Sequence, residues 1–353
     1  MVKTAVPLAV LLAAACTSPA APRAVPSTSP PPSSVAPTSP RPTPTPSLPQ
    51  SFGGEDVRWP RTAESTTAPR ALGAVVTLRV ARTGDGGTLA AGLTLPRTGG
   101  SAAAPVVMTP CGRSVALAAR DLRVIAPSGD DVLVVIDPSH GGPQLGAVAP
   151  NGDREKDRVL QIALEARTAL AGRVGRVVLT RERDYEETLG FRAALVDALR
   201  ADAAVSVHLN ASPDGPRTTP GTETFGSTAD GEGRRFSGVV YERIRRYLQT
   251  LPGPWVGDRD AGAKYRVSAA GRDYYGLLRL AHRPFVIAES LYLSSPHEAA
   301  LVARPDVRRA LGTAIADALV AFTTTAAPGS GWVTPYARPA DPNSPDRHVC
   351  VDP

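Results

Sequence analysis

Residues 134–157 read VVIDPSHGGPQLGAVAPNGDREKD. An apolar run enters a glycine-rich loop carrying one histidine, His140, and the pair Glu155-Lys156 follows. A short, continuous apolar run suits a strand buried on both faces, as in the centre of an α/β sheet. The loop then leaves the carboxyl end of that strand, which is where open α/β sheets bind their ligands. A histidine in an isolated turn is ordinarily a solvated polar residue. Whether His140 carries chemistry therefore depends on the rest of the chain.

Three more apolar runs follow: RVVLT, AAVSVHL and FVIAES. Between them lie amphipathic stretches. In DRVLQIALEARTALA the residues Val159, Ile162, Ala166 and Leu170 recur at intervals of three and four, which places them on one helical face. Leu189, Val196 and Leu199 are expected along one side of TLGFRAALVDALR. The stretch RRFSGVVYERIRRYLQTL predicts a third helix, and ALVARPDVRRALGTAIADALVAF the last. This alternation predicts a layered α/β domain over 130–325, with helices on both faces of the sheet.

Before it, 71–129 reads as a small β-rich accessory segment: AVVTLRVAR, TLAAGLTLP and SVALAARDLRVIAP are separated by the turns TGDGG, RTGGS and PCGR. Residues 17–70 are rich in Pro, Ser, Thr and Ala and poor in large apolar residues, so a disordered linker is expected. In polyproline geometry it would reach at most about 170 Å at ~3.1 Å per residue. The first 16 residues, MVKTAVPLAVLLAAAC, combine Lys3 with an apolar run too short to span a bilayer permanently, as an export signal does. The closing AAAC resembles the lipobox of bacterial prolipoproteins, although Ala13 stands where leucine is more usual. Lipidation at Cys16 would anchor the chain to the outer face of the cytoplasmic membrane. Ordinary export and release is the alternative. Residues 326–353 read as an irregular tail.

The formal charge is +6 and the pI near 9.5. Most of the basic residues are arginine, without the aromatic-basic interleaving of single-strand binders, so a nucleic acid is not the expected partner. An anionic envelope polymer suits an exported basic surface better. A monomer is expected. With Cys16 set aside, Cys111 and Cys350 form an even pair in an oxidising compartment, consistent with a disulfide between the tail and the first folded segment. Two buried free thiols are the alternative.

Of five histidines, His140 and His208 sit at strand ends, while His282, His297 and His348 do not follow that pattern. Glu155 completes a His, Glu, His set, a pattern of catalytic zinc sites that leaves a fourth position for water. Polar strand ends also occur in any α/β enzyme, and spacing alone leaves both readings open.

The motifs IDPSHGG, Glu155-Lys156-Asp157, Thr180-Arg181, Leu189 followed by Arg192, ADAAVSVHLNA and PFVIAESLYLSS resemble, in this order, those of the zinc-dependent N-acetylmuramoyl-L-alanine amidases of the amidase 3 family. The resemblance covers about 131–322. It implies a phosphorylase/hydrolase-like α/β fold, zinc held by His140, Glu155 and His208, and Glu289 as the catalytic carboxylate. It further implies peptidoglycan as substrate, cut between N-acetylmuramic acid and L-alanine. Two positions depart from the family pattern: Ser139 replaces a glycine, and Leu209 a smaller residue. Asn210 is retained, either hydrogen-bonding near the metal or closing a turn. Glu223 lines the cleft or is a plain exposed strand position. Arg192 holds a substrate carboxylate or forms an internal salt bridge. His297 and Glu298 are expected to cap or solvate a helix. The glycine-rich stretch with Trp255, Tyr274 and Tyr275 is a candidate substrate-facing loop. A non-catalytic wall-binding or regulatory protein on the same scaffold, or a zinc hydrolase of another amide, are the competing readings.

Overall fold

The computed structural model describes residues 77–80, 89–125, 131–212, 221–252, 262–268, 271–333 and 349–353. The expected signal segment with Cys16, the expected linker over 17–70, Trp255 and His348 lie outside them. All the described residues belong to one unit spanning 51–353. Among them, no helix is long and apolar enough to cross a membrane.

Strands β1 (Thr77–Val80), β2 (Thr94–Gly100), β3 (Pro105–Met108), β4 (Ser114–Ala116) and β5 (Leu122–Ile125) make an antiparallel sheet in the order β4-β3-β2-β1-β5. Details differ from the sequence expectation: SVALAARDLRVIAP, expected as one segment, divides into β4, a 3-10 turn at Ala119–Asp121 and β5. RTGGS, expected as a turn, begins with the second half of β2: Arg97 is buried, and its guanidinium bonds Gly99 O at 2.7 Å and also Gly100 O, holding the strand through a register shift. PVVM forms β3, a strand too short to show alternation in the sequence.

A second, six-stranded sheet contains β6 (Leu133–Pro138), β7 (Arg176–Leu179), β8 (Ala203–Asn210), β9 (Glu223–Gly226), β10 (Gly262–Lys264) and β11 (Phe285–Tyr292), in the order β10-β9-β11-β8-β6-β7. The four apolar runs of the sequence are the adjacent parallel strands β7, β6, β8 and β11. Strand β9 runs antiparallel to β11, and β10 parallel to β9.

Alternate residues of each strand enter separate cores. Val134 and Ile136 pack with α1 (Glu155–Leu170), α3 (Gly233–Leu248) and α6 (Pro305–Thr324) on one face. Leu133 and Val135 pack on the other with Phe191 and Leu195 of α2 (Leu189–Ala198), Leu277 and Leu278 of α4 (Gly276–Leu280), and Leu93, Leu95 and Val107 of the accessory sheet. Each such side chain contributes roughly 1.5–3 kcal/mol by leaving water. Helices thus cover both faces as expected, and the accessory sheet completes one of them.

Along α1, Val159, Ile162, Ala166 and Leu170 are all fully buried. On α2, Leu189 departs from expectation and stays exposed. It is the first helical residue, next to the Thr188 cap that accepts the Phe191 N–H, so Phe191 and Leu195 take the inner face with Val196 and Leu199. The last predicted helix is two: α5 (Pro296–Val302) and α6, which begins at Pro305. Proline lacks the N–H a continuing helix needs but suits a first helical position. The chain end returns to the accessory sheet, where Cys111 and Cys350 form a disulfide with Cα atoms 5.6 Å apart. Asp352 accepts from Cys111 N at 2.7 Å, and Pro353 O from Ala90 N at 2.8 Å.

Candidate metal centre

The site is built on the α2-facing side of the sheet, where the apolar residues of the strands give way to polar ones at their carboxyl ends. Asp137, the last-but-one residue of β6, is fully buried. Its carboxylate accepts from Thr180 Oγ1 at 2.7 Å, from Ser206 Oγ at 2.6 Å and from the Arg192 guanidinium. Burial alone would raise its pKa, but Arg192 and the two hydroxyls outweigh that and hold it below the usual carboxylate value.

The loop that follows needs this floor. His140 has φ of 59°, a left-handed conformation that costs a residue with a Cβ roughly 1–2 kcal/mol. Two buried arginines grip its carbonyls one after another. Arg181 donates to Pro138 O at 2.9 Å and to Ser139 O and Lys156 O at 2.8 Å each. Arg192 donates to Pro138 O at 3.0 Å and His140 O at 2.8 Å. Gly141 (φ 128°) must be glycine, because a Cβ there would lie 2.0 Å from Tyr185 O. Lys156 closes the loop from the other side, with Nζ 2.6 Å from Gly142 O and 2.7 Å from Asp184.

This frame places His140 Nε2 3.2 Å from Glu155 Oε2, and His208 Nδ1 3.2 Å from Glu155 Oε1. The potential ligand atoms of the three residues all lie within 4.8 Å of one another. Glu155 is the first residue of α1, where a negative charge is favoured by the helix dipole. Its carboxylate also accepts from Ala147 N at 2.8 Å and Leu209 N at 2.9 Å. Burial would raise its pKa, yet the two histidines more than reverse this, so it stays ionised well below its usual value. His208 is pushed down by burial, against the pull of Glu155. Both histidine side chains remain about a quarter exposed, at 27% and 22%, so the cluster opens to solvent while its carboxylate, at 4%, does not. Two imidazole nitrogens and one carboxylate oxygen, converging with an open side, fit a catalytic zinc ion.

Ser139, the departure from the family motif, is buried with Oγ 3.4 Å from Glu155 Oε1. Its presence thus gives the carboxylate a neighbouring hydroxyl that glycine would not.

Glu289 on β11 is the register partner of His208 on β8 and, across the antiparallel pair, of Glu223 on β9. Register partners share a face, so these side chains form one row across the sheet. Glu289 is half-buried, whereas Glu223 is fully buried. Glu223 is therefore not the exposed strand residue held open from sequence. It pairs with the buried Lys264 at 2.9 Å and accepts from Asn210 Nδ2 at 2.8 Å. Arg192, the other open candidate for substrate, is buried beneath the site, paired with Asp137 and 3.4 Å from Glu187. A substrate carboxylate cannot reach it, because that face is filled by the loop it holds. Glu298 is likewise not solvated: its buried carboxylate accepts from Tyr292 N at 2.7 Å, where β11 shifts register against β8. His282 is exposed beside Asp197. Tyr275 packs on Phe225, and Arg266 lies 3.7 Å from the centre of the Tyr274 ring. Neither the joint grip of Arg181 and Arg192 on the loop nor the role of Lys264 can be read from the sequence, because each depends on contacts between distant segments.

The chain resembles known proteins over this same region. A family model described as N-acetylmuramoyl-L-alanine amidase matches residues 134–321, more than half of the chain. The endolysin of Bacillus phage SPP1 is 36% identical over 174 residues, covering 48% of this chain and 58% of the endolysin. The amidase AmiC of Neisseria meningitidis serogroup B is 27% identical over 228 residues, covering 56% of this chain and 54% of AmiC. The chain thus spans little more than half the length of these two relatives. Among solved structures, an N-acetylmuramoyl-L-alanine amidase from Clostridium difficile 630 is similar at 25% identity and a TM-score of 0.48, over 55% of this chain and 97% of that one. By the family match over 134–321, the chain belongs to the amidase 3 family of N-acetylmuramoyl-L-alanine amidases.

Proposed function

We propose that this chain hydrolyses peptidoglycan at the amide between the lactyl group of N-acetylmuramic acid and L-alanine, using zinc held by His140, Glu155 and His208. The convergence of these three side chains beside Glu289, within a domain of this family, carries the reading. A zinc ion bound there would lower the pKa of a water to about 7 and polarise the amide carbonyl. Glu289, one strand over from His208, takes the proton from the attacking water and returns it to the departing nitrogen. A C–O bond forms and the C–N bond breaks, leaving a lactyl carboxylate and a stem peptide with a free amine. The fixed loop and the buried Glu155 pre-set the ligand geometry, so little reorganisation accompanies the reaction.

In this reading the chain is exported, lipidated at Cys16 and tethered to the membrane, with the wall within reach of the linker. Incorporation of labelled fatty acid that disappears in Cys16→Ser tests the anchor. For the reaction, purified peptidoglycan is digested and new L-alanyl amines are counted. Release that stops on chelation, returns with zinc and falls about 10²–10⁴-fold in Glu289→Ala is expected. Zinc-loaded protein that binds wall but releases no peptide would favour a non-catalytic wall-binding role, and release of a different amine another amide substrate.

A further inference from the structure

Lys264, on the short edge strand β10, reaches the site through a chain of three side chains. Its Nζ lies 2.9 Å from Glu223 Oε1, and Glu223 Oε2 accepts from Asn210 Nδ2 at 2.8 Å. Lys264 and Glu223 are buried, with 2% and 0% of their side chains exposed. A buried ion pair is expensive to desolvate and is not by itself a source of stability. Replacing it with apolar residues of similar volume is often harmless to a fold, so its presence calls for another account.

Asn210 supplies that account. It lies two residues beyond His208 on β8, hence on the same face of the strand, and it is half-exposed. Its amide has two donors and one acceptor oxygen, and the two ends are interchangeable unless the partners choose between them. Here both partners do. The carboxylate of Glu223 can only accept, and the Ala211 N–H, which reaches Asn210 Oδ1 at 2.9 Å, can only donate. The amide is thus fixed in one sense, with one N–H committed to Glu223 and its carbonyl to Ala211. What remains for a ligand is the second N–H, beside the second histidine of the metal set.

We propose that Lys264 and Glu223 are positioning residues that lock Asn210 as a hydrogen-bond donor to a carbonyl oxygen of the bound muramoyl-peptide. The proposal rests on the amidase reading for the identity of that ligand. Lys264 holds one carboxylate oxygen of Glu223, the other oxygen accepts from Asn210, and Asn210 alone touches the substrate. Without the pair, only the Ala211 N–H orients the amide, which more readily turns its oxygen towards the ligand carbonyl and repels it.

The test uses the full-length chain with a soluble muramoyl-peptide, comparing KM, kcat and bound zinc in wild type and variants. The double variant Glu223→Met/Lys264→Met removes both charges at similar volume. It should raise KM about tenfold, with kcat within about twofold and zinc content unchanged, the signature of a lost binding contact. Asn210→Ala, at a half-exposed position, should reproduce this change and keeps the test open if the double variant does not fold. Lys264→Arg, which retains the cation, should preserve KM. A folded double variant or Asn210→Ala with wild-type KM would overturn the proposal, as would a loss traced to reduced zinc content. A wild-type chain that turns over no muramoyl-peptide counts against the amidase reading alone. Calorimetric affinity for the same compound then compares the variants, and equal affinities overturn the proposal.

Discussion

Arg192→Met separates the support of the metal site from its ligands. In the folded chain Arg192 donates to Pro138 O at 3.0 Å, His140 O at 2.8 Å and Glu187 O at 3.2 Å, and pairs with Asp137. Removing it leaves Asp137 buried with only the Thr180 and Ser206 hydroxyls, and leaves Glu187 without the cation 3.4 Å away. An uncompensated buried charge costs about 3–5 kcal/mol, and the orphaned carbonyls add to this without being additive. Urea unfolding of the metal-free protein should show a loss of that order. The loop effect is separate: His140 holds a left-handed backbone that its own side chain disfavours, and Arg192 donates directly to its carbonyl. Supporting groups around metal ligands typically change affinity 10–100-fold, and zinc titration against a competing chelator should show a weakening in that range.

The double variant Arg192→Met/Asp137→Asn distinguishes the two effects. Neutralising Asp137 removes the buried charge and should restore much of the stability, because the asparagine still has Thr180 and Ser206 within reach. Zinc affinity should stay low, because nothing has replaced the donor to His140 O. A double variant with wild-type zinc affinity would refute the reasoning, showing that Arg181 and the glycines suffice to hold the loop.

Burial, opposed by Arg192, raises the Glu187 pKa from 4.5 to about 7. A raised carboxyl pKa means the folded state holds the proton more tightly than the unfolded one, so the contribution of Glu187 to stability is greatest below about pH 4.5 and declines as pH rises to about 7. Relative to wild type, Glu187→Gln should therefore gain stability across that window, by up to about 3 kcal/mol in urea unfolding, and a pH-independent difference would count against it. Gly146→Ala should lose zinc affinity at least tenfold while folding, since at φ +69° a Cβ would lie 2.5 Å from Glu155 Oε2 and 2.7 Å from His140 Cδ2; chelator competition reads this directly. Removing the Cys111–Cys350 link by Cys→Ser at both positions should cost about 5 kcal/mol if loop entropy dominates, and thermal unfolding with a thiol count tests it.

The contrast between His140 and Lys264 shows why one part of the site was legible in the sequence and another was not. His140, Glu155 and His208 lie within or beside uninterrupted elements whose apolar periodicity announces where strands end and a helix begins, and strand ends converge at one edge of a parallel sheet. Motif order then sufficed to anticipate the cluster that the folded chain brings within 4.8 Å. Lys264 lies on a strand of three residues within a glycine-rich stretch, too short for any period to show, and its meaning arises only when β10 pairs with β9. Arg192 is intermediate: its helix is consistent with a substrate contact, but an internal salt bridge is the reading the sequence favours, and Asp137 is its partner. The decision came from Asp137, whose side chain follows the apolar run of β6 onto the α2 face. On the proposed reading, the geometry of the site has two physical sources. Local pattern delivers His140, Glu155 and His208 to one edge of the sheet, and buried arginine and lysine contacts between distant segments fix the angles at which they, and the amide of Asn210, would be presented.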